Sequence, residues 1–141
     1  MSELVGNKAV EDAAIAWVIA LEARAGRAAK DTRYRGAPAD VESPPRLIEV
    51  KAYGRNARGQ DLFLEVRQVE HAETTDNFFV YVVENVRQGN PAHFTLRVLG
   101  GERLRRLLTR KKEQRYYTVP WPVADYDSTP QDVDEHEPPP G

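Results

Sequence analysis

The chain of 141 residues contains no cysteine, which excludes disulfide bonds, thiolate zinc sites and cysteine nucleophiles. No apolar run approaches the roughly 20 residues that a membrane-spanning helix needs, and the N-terminus lacks a basic stretch followed by an apolar one. Serines are scarce and His71 and His93 are isolated, so neither a serine hydrolase nor a zinc site is indicated. These absences favour a cytoplasmic protein without a membrane partner.

Charge is segregated along the chain, although the formal net charge is only -2. Residues 125–141 contain six acids and no lysine or arginine, which leaves 16 acids against 20 bases in residues 1–124. A body with a charge of about +4 suits a polyanion such as DNA. The acidic, proline-rich residues 125–141 have too little apolar surface to fold, so we expect a disordered tail after a domain formed by residues 1–124.

Hydrophobic periodicity predicts an α/β domain with a central mixed sheet flanked by helices. Three-residue and four-residue apolar steps mark the helices, whereas β-branched and aromatic runs between turn residues mark the strands. The predicted helices cover residues 8–25, 66–73 and 102–112. The predicted strands cover residues 29–34, 46–53, 61–64, 78–86 and 92–99. The length of the chain allows a single core of this kind.

The residues that can carry chemistry lie on the predicted strand 46–53. Side chains alternate along a strand, so Glu49 and Lys51 project to one face while Ile48 and Val50 project to the other. The apolar pair can therefore anchor the strand in the core while the charged pair faces a site. A strand with two charges on its solvent-facing side gives the same pattern without any chemistry.

Asp40 completes a possible centre if residues 40–43 pair with residues 46–51 as a hairpin. The aspartate would then come alongside Glu49, on the same face as Lys51. Two carboxylates suit a hard cation such as Mg²⁺ or Mn²⁺, which can activate a water and polarise a phosphodiester. An ammonium can orient that water or stabilise charge that develops on the phosphate. This arrangement predicts a metal-dependent hydrolase.

The centre belongs to a longer pattern along the chain. The pattern consists of Val10-Glu11, Glu22, Gly26-Arg27, Asp31, Gly36, Asp40-Val41, Ser43 and Ile48-Glu49-Val50-Lys51. It resembles the C-terminal domain of the Protein NO VEIN family over about residues 8–110. That domain is similar to nucleases of the PD-(D/E)xK superfamily. The resemblance therefore implies a PD-(D/E)xK restriction-endonuclease-like fold, often joined to helicase or restriction modules in microbial defence loci.

Matched motif by motif, the resemblance implies Asp40 as the metal-binding aspartate, Glu49 as the second metal ligand and Lys51 as the catalytic lysine. The family usually has Gly-Tyr-Asp where this chain has Gly36-Ala-Pro-Ala-Asp40. The position of the aspartate is therefore displaced relative to the family, and Glu42 becomes a rival ligand.

Two further positions enter the centre through the resemblance. The family usually carries glutamate in the second helix where this chain has Gln68, a residue type that active members of the superfamily also place there. A glutamate on the first helix often completes the metal site, and either Glu11 or Glu22 can take that role. The two lie eleven residues apart and share one face of the helix. We favour Glu22, because it is closer in sequence to the strand that bears the centre.

The strongest basic cluster in the chain follows the last predicted strand. Its candidate nucleic-acid-binding residues are Arg103, Arg105, Arg106, Arg110, Lys111 and Lys112. Cations of this kind bind phosphates, and the aromatic residues that follow can stack on unpaired bases. A solvated helix face would have the same composition.

The sequence therefore predicts a Mg²⁺-dependent DNA endonuclease, expected as a subunit of a defence or repair assembly. A domain this small has limited means of choosing a substrate, which suggests a helicase-like or restriction partner, or a homodimer. One alternative is a catalytically inactive module that binds nucleic acid or a protein. Another is an assembly or toxin-neutralising protein whose acidic tail mimics DNA.

Overall fold

The computed structural model describes residues 2–131 and contains a five-stranded mixed sheet with helices against both faces. The strands are β1 Lys30–Asp31, β2 Val41–Ser43, β3 Arg46–Ala52, β4 Phe78–Glu84 and β5 Thr95–Gly100. The helices are α1 Asn7–Arg24, α2 Val66–Thr74, α3 Gly101–Leu108 and α4 Val123–Ser128. The predicted fold class, a mixed sheet flanked by helices, is confirmed at this level.

The strands lie in the sheet in chain order, β1 to β5. Strands β2 and β3 form a tight antiparallel hairpin in which Val41 pairs with Ile48 and Ser43 with Arg46, so the predicted hairpin is confirmed. Strand β4 runs parallel to β3, and the connection between them contains α2. Strand β5 returns antiparallel to β4.

Two apolar layers hold the sheet between its helices. Helix α1 packs on one face through Val10, Ala14, Ile15 and Val18, against side chains that include Ile48. On the other face, α2 and α3 contribute Ala72, Leu104 and Leu108, which pack on side chains of β4. As expected for a central strand, β4 is buried along almost its whole length. Side chains alternate along β3, so Ile48 and Val50 face α1, and the residues between them face the side of the sheet that α2 and α3 cover.

The chain divides into two compact units, Met1–Lys111 and Lys112–Gly141. The sheet and the first three helices belong to the first unit. Helix α4 belongs to the second unit, and its residues 125–128 were predicted to be disordered; the structure shows a short helix instead. Of the rest of the predicted tail, residues 129–131 have no helix or strand, and residues 132–141 lie outside the described residues. No helix within residues 2–131 has the length and apolar character required to cross a bilayer.

Three predicted elements differ from the structure. Of the strand predicted for residues 29–34, only Lys30–Asp31 forms and pairs with β2. Residues 61–64 form no strand, although Leu62 and Leu64 pack against the apolar layer on the α2 face. Both edges of β3 are already paired, with β2 and β4, so this segment finds no partner there. The helix predicted for residues 102–112 ends at Leu108, and Thr109 is its C-cap.

Candidate functional site

Asp40 and Glu49 are brought side by side by the register of the β2–β3 hairpin. Val41 pairs with Ile48, so the residue before Val41 lies opposite the residue after Ile48. Since Ile48 packs towards α1, alternation places Asp40 and Glu49 on the opposite face of the sheet. The Val50 backbone N–H donates to Asp40 Oδ2 at 3.0 Å and fixes that carboxyl group.

Glu49 is the most deeply buried acid of this pair, with 6 % of its surface exposed. Lys51 Nζ lies 3.2 Å from Glu49 Oε2, as expected for neighbours on one face of a strand. Glu49 Oε1 is buried, and within residues 2–131 no hydrogen-bond donor reaches it. A buried acceptor without a donor costs about 1–3 kcal/mol. The oxygen is therefore suited to a proton or a cation brought from outside.

The titration of the pair follows from the same geometry. Burial, followed by the negative charge of Asp40, raises the pKa of Glu49 to about 7, while Lys51 acts in the opposite direction. Burial also raises the pKa of Asp40, against the lowering effect of the Val50 N–H. Two carboxyl groups in such a position favour a shared proton, or a cation, over two negative charges.

A cleft of about 200 Å³ opens beside this pair. One wall is the loop between β1 and β2, and the other is the segment that begins α2. Its charged and polar lining includes Asp40, Glu49, Glu11, Arg33, Arg67 and Gln68. The carboxyl pair is therefore reached from solvent through a defined opening, whose lining does not include Lys51.

Glu22 does not reach the cleft, so the preference for Glu22 over Glu11 at the centre is corrected. Its carboxylate is buried on the α1 face, where Arg27 donates to both of its oxygens at 2.6 and 2.8 Å. Ser43 and Tyr81 each donate to it at 3.0 Å. With four donors Glu22 has a structural role: it ties the end of α1 to the sheet.

Glu11 lines the cleft instead, and its charge contributes to the raised pKa of Asp40. Arg33 donates to Glu11 at 3.3 Å and to Asp12 at 2.8 Å, and it also pairs with Asp31. Arg33 was not predicted as a site residue from the sequence, although it lies in the loop directly upstream of Asp40. The only signal for it was the run of charged residues between β1 and Gly36.

Gln68 lines the cleft and is 8 % exposed. Its side-chain oxygen accepts from the Glu65 backbone N–H at 3.0 Å, which closes a capping box at the start of α2. Glu42, the rival ligand, pairs with Leu47 in the hairpin and does not line the cleft. The structure thus brings Gln68 to Asp40 and Glu49, but not Glu42.

The basic cluster on α3 is partly neutralised by acids near α2. Arg105 donates to Asp76 at 2.8 Å and Lys111 donates to Glu73 at 2.9 Å. The three remaining arginines of this cluster, Arg103, Arg106 and Arg110, are exposed; Arg110 lies just after α3, and Arg106 lies 4.0 Å from the exposed Glu102. The predicted nucleic-acid-binding residues therefore fall into two groups, those that pair with acids near α2 and those that do not. Lys112 belongs to the second unit.

The donor set fits a hard, oxygen-loving cation. Within residues 2–131 no three His, Cys, Asp or Glu side chains are grouped closely enough to hold a metal by themselves. Mg²⁺ is commonly held by only one or two carboxylates and completes its shell with water and substrate phosphate. The pair of Asp40 and Glu49, with one oxygen that lacks a donor, matches this requirement. A structural zinc site would need four protein ligands.

Comparison with known proteins identifies the family of the chain. The family model described as Protein NO VEIN, C-terminal, matches residues 10–96, which is more than half of the 141-residue chain. The match begins in α1 and ends in β5, so it includes the hairpin and the cleft. No curated protein and no solved structure matches the chain. The resemblance seen in the sequence is confirmed at the family level: the chain belongs to the family of the Protein NO VEIN C-terminal domain.

Proposed function

We propose that this protein is a Mg²⁺-dependent DNA endonuclease with a PD-(D/E)xK-type centre. Asp40 and Glu49 are the metal ligands, with Mn²⁺ as a substitute cation, and Lys51 is the catalytic lysine. The observation that carries the proposal is the buried carboxyl pair, in which Glu49 Oε1 has no donor within residues 2–131, beside an ammonium at 3.2 Å. A strand pair with only a structural role would not require two neighbouring acids in a cleft, one of which raises the pKa of the other.

The residues of the chain divide the work of hydrolysis. When bound, Mg²⁺ supplies an activated water and charge neutralisation at the phosphate. Lys51, with 23 % of its side chain exposed, can donate to a phosphate oxygen on which charge develops. Asp40 is held in place by the Val50 N–H, so its orientation does not have to be established when substrate binds. Gln68 adds a neutral polar group to the opposite wall of the cleft.

The proposed setting is an assembly that supplies part of the recognition. A cleft of about 200 Å³ is below the 300–1,000 Å³ typical of pockets that enclose a whole ligand. The centre can therefore engage one unit of a DNA backbone, while selection of the site depends on contacts elsewhere. We propose a helicase-like or restriction component, or a second copy of the chain, as the source of those contacts.

A metal role for Asp40 predicts a specific change in thermal stability. Mg²⁺ should raise the melting temperature of the parent protein, because a ligand that binds only the folded state stabilises it by mass action. Asp40→Asn should lose this response. Above the pKa of Glu49 and without metal, it should also be more stable than the parent by about 1 kcal/mol, because one of two repelling carboxylates is neutralised. Thermal melts with and without Mg²⁺ measure both effects.

The matched control for this experiment is Glu42→Gln. Glu42 lies in the same hairpin as Asp40 but does not line the cleft, so the variant should keep the response of the parent to Mg²⁺. An identical response in the parent and in Asp40→Asn would show that Asp40 is not a ligand.

The second candidate function is a non-enzymatic module that binds DNA. The exposed row of Arg103, Arg106 and Arg110 favours it, because such a row can contact phosphates whether or not the centre is active. The displaced aspartate of the Gly36-to-Asp40 segment favours it as well. This function would be supported if the protein binds DNA but does not cut it in Mg²⁺ or Mn²⁺.

Neutralising the exposed row should weaken DNA binding more than neutralising the paired bases. Each phosphate contact releases counterions, so replacing Arg103, Arg106 and Arg110 by glutamine should reduce the affinity and flatten its salt dependence. Replacing Arg105 and Lys111 should have a smaller effect, since their charges already face Asp76 and Glu73. Titrations of each variant with DNA at several salt concentrations measure the two affinities. Equal losses of affinity would contradict the division between the exposed row and the bases that pair with Asp76 and Glu73.

A further inference from the structure

The loop between β1 and β2 forms one wall of the cleft and is tied at its base. The Thr32 backbone N–H donates to the Asp40 carbonyl at 2.8 Å, and the Thr32 hydroxyl donates to the Ala39 carbonyl at 2.9 Å. Thr32 and Ala39 are both buried. These hydrogen bonds fix the base of the loop to Asp40, so the loop begins and ends beside the candidate centre.

Tyr34 lies on this loop, lines the cleft and is 86 % exposed. Its φ of +67° is in the left-handed region, which is an unfavourable conformation for a bulky residue. Because the Tyr34 ring is exposed, hydrophobic burial does not offset the cost of this backbone conformation. This combination points to a role for the ring at the mouth of the cleft rather than in the core.

The ring is supported by a cation that is itself fixed. The Arg33 guanidinium lies 5.6 Å from the centre of the Tyr34 ring, within the range of a cation–π contact. Arg33 is held by Asp31, Asp12 and Glu11, and its side chain is only 12 % exposed. The ring is therefore oriented from the protein side, while most of its surface faces solvent.

Arg67 adds a positive charge on the opposite wall. It lines the cleft at the start of α2, as does Glu65, and both side chains are exposed. A cation on one wall and an aromatic ring on the other are the two elements with which proteins hold single strands, since phosphates bind cations and bases stack on rings. Neither wall carries the extended basic surface that a duplex backbone needs.

We infer that the cleft takes an unpaired segment of DNA, with Tyr34 stacked on one base and Arg67 against the backbone next to the Asp40–Glu49 centre. The inference deepens the proposed function and rests on it, because it takes that centre as the point that the strand must reach. A base within a duplex already stacks on both of its neighbours, so the ring gains this contact only with an unpaired base. The substrate class is thus single-stranded DNA or an unpaired junction within a duplex.

The test measures binding and cutting separately on the full chain. Fluorescence anisotropy with a short oligothymidylate and with a fully paired, blunt-ended duplex, in Ca²⁺ at fixed salt, reports affinity. The parent should prefer the oligothymidylate, and Tyr34→Ala should weaken its binding roughly tenfold, whereas Tyr34→Phe should retain it. Duplex binding should change little in either variant.

Phe63→Ala is the matched control, since Phe63 is 74 % exposed but does not line the cleft. Equal affinity of the parent for both probes, an unchanged affinity in Tyr34→Ala, an equal loss in Phe63→Ala, or no binding of either probe overturns the inference. Cutting of the same probes in Mg²⁺ is scored independently. Tyr34-dependent binding without cutting would reject the endonuclease while retaining the unpaired-strand site, so the two failures are distinguishable.

Discussion

Replacing Lys51 by alanine is expected to reduce Mg²⁺-dependent DNA cutting by about 100-fold or more without unfolding the protein. Loss of one preorganised donor at a developing negative charge typically costs a factor of this size. The fold should survive because Lys51 is partly exposed, and because Glu49, with a pKa of about 7, can keep its proton when its partner is removed. Rates of plasmid nicking in Mg²⁺ or Mn²⁺ measure the effect, and thermal melts check the fold.

Lys30→Ala serves as the control for this experiment. Lys30 is an exposed lysine on β1 of the same sheet, and it pairs in register with Glu42 rather than with the candidate centre. Its variant should cut at the parental rate. Full activity in Lys51→Ala, or cutting that a chelator leaves unchanged, would reject the proposed mechanism. Parental nicking that disappears in both lysine variants would indicate a general loss of basic charge instead.

The part of the site that could be predicted from sequence is the part that depends on strand geometry. Period-two alternation was sufficient to place Glu49 and Lys51 on one face, and the hairpin considered for residues 40–43 and 46–51 brought Asp40 alongside. These contacts are local, because they involve residues within about a dozen positions of one another.

The choice between Glu11 and Glu22 could not be made in the same way. Eleven residues of helix separate them by about 16 Å along the axis, so they share a face of the helix but meet different side chains. Which end reaches the cleft depends on how α1 packs across β2 and β3, and that is a tertiary contact without a local signal. Glu22 also meets Tyr81, a partner fifty-nine residues away.

The cleft wall formed by Arg33 and Tyr34 escaped prediction for a related reason. Residues 29–34 were expected to form a strand, which would have placed these side chains in a regular alternation. Only Lys30 and Asp31 pair with β2, and the chain then leaves the sheet at Thr32. A positive φ at a non-glycine residue such as Tyr34 has no signature in composition or periodicity. Loop residues at the site were therefore identified only from the structure.

Glu49→Gln is expected to remove most of the pH dependence of stability that the parent shows between about pH 4.5 and 7. In the parent, the pKa of Glu49 rises from 4.5 in the unfolded chain to about 7 in the folded one. The folded state therefore binds this proton more tightly, and the resulting stability is fully present below pH 4.5. It is lost as the pH rises through 7, by an amount on the order of 3 kcal/mol. Asp40, whose pKa is also raised, acts in the same direction.

The variant carries a neutral amide of the same shape, so it has no proton to lose at this position. At pH 8 without divalent cations it should consequently be more stable than the parent, and the two should converge near pH 4.5. Urea denaturation across this range gives the free energy of unfolding for both proteins. Glu42→Gln, a change of the same kind elsewhere in the hairpin, should keep the parental slope. If Glu49→Gln shows that same slope, folding does not raise the pKa of Glu49, and the inference that the carboxyl pair favours a shared proton is wrong.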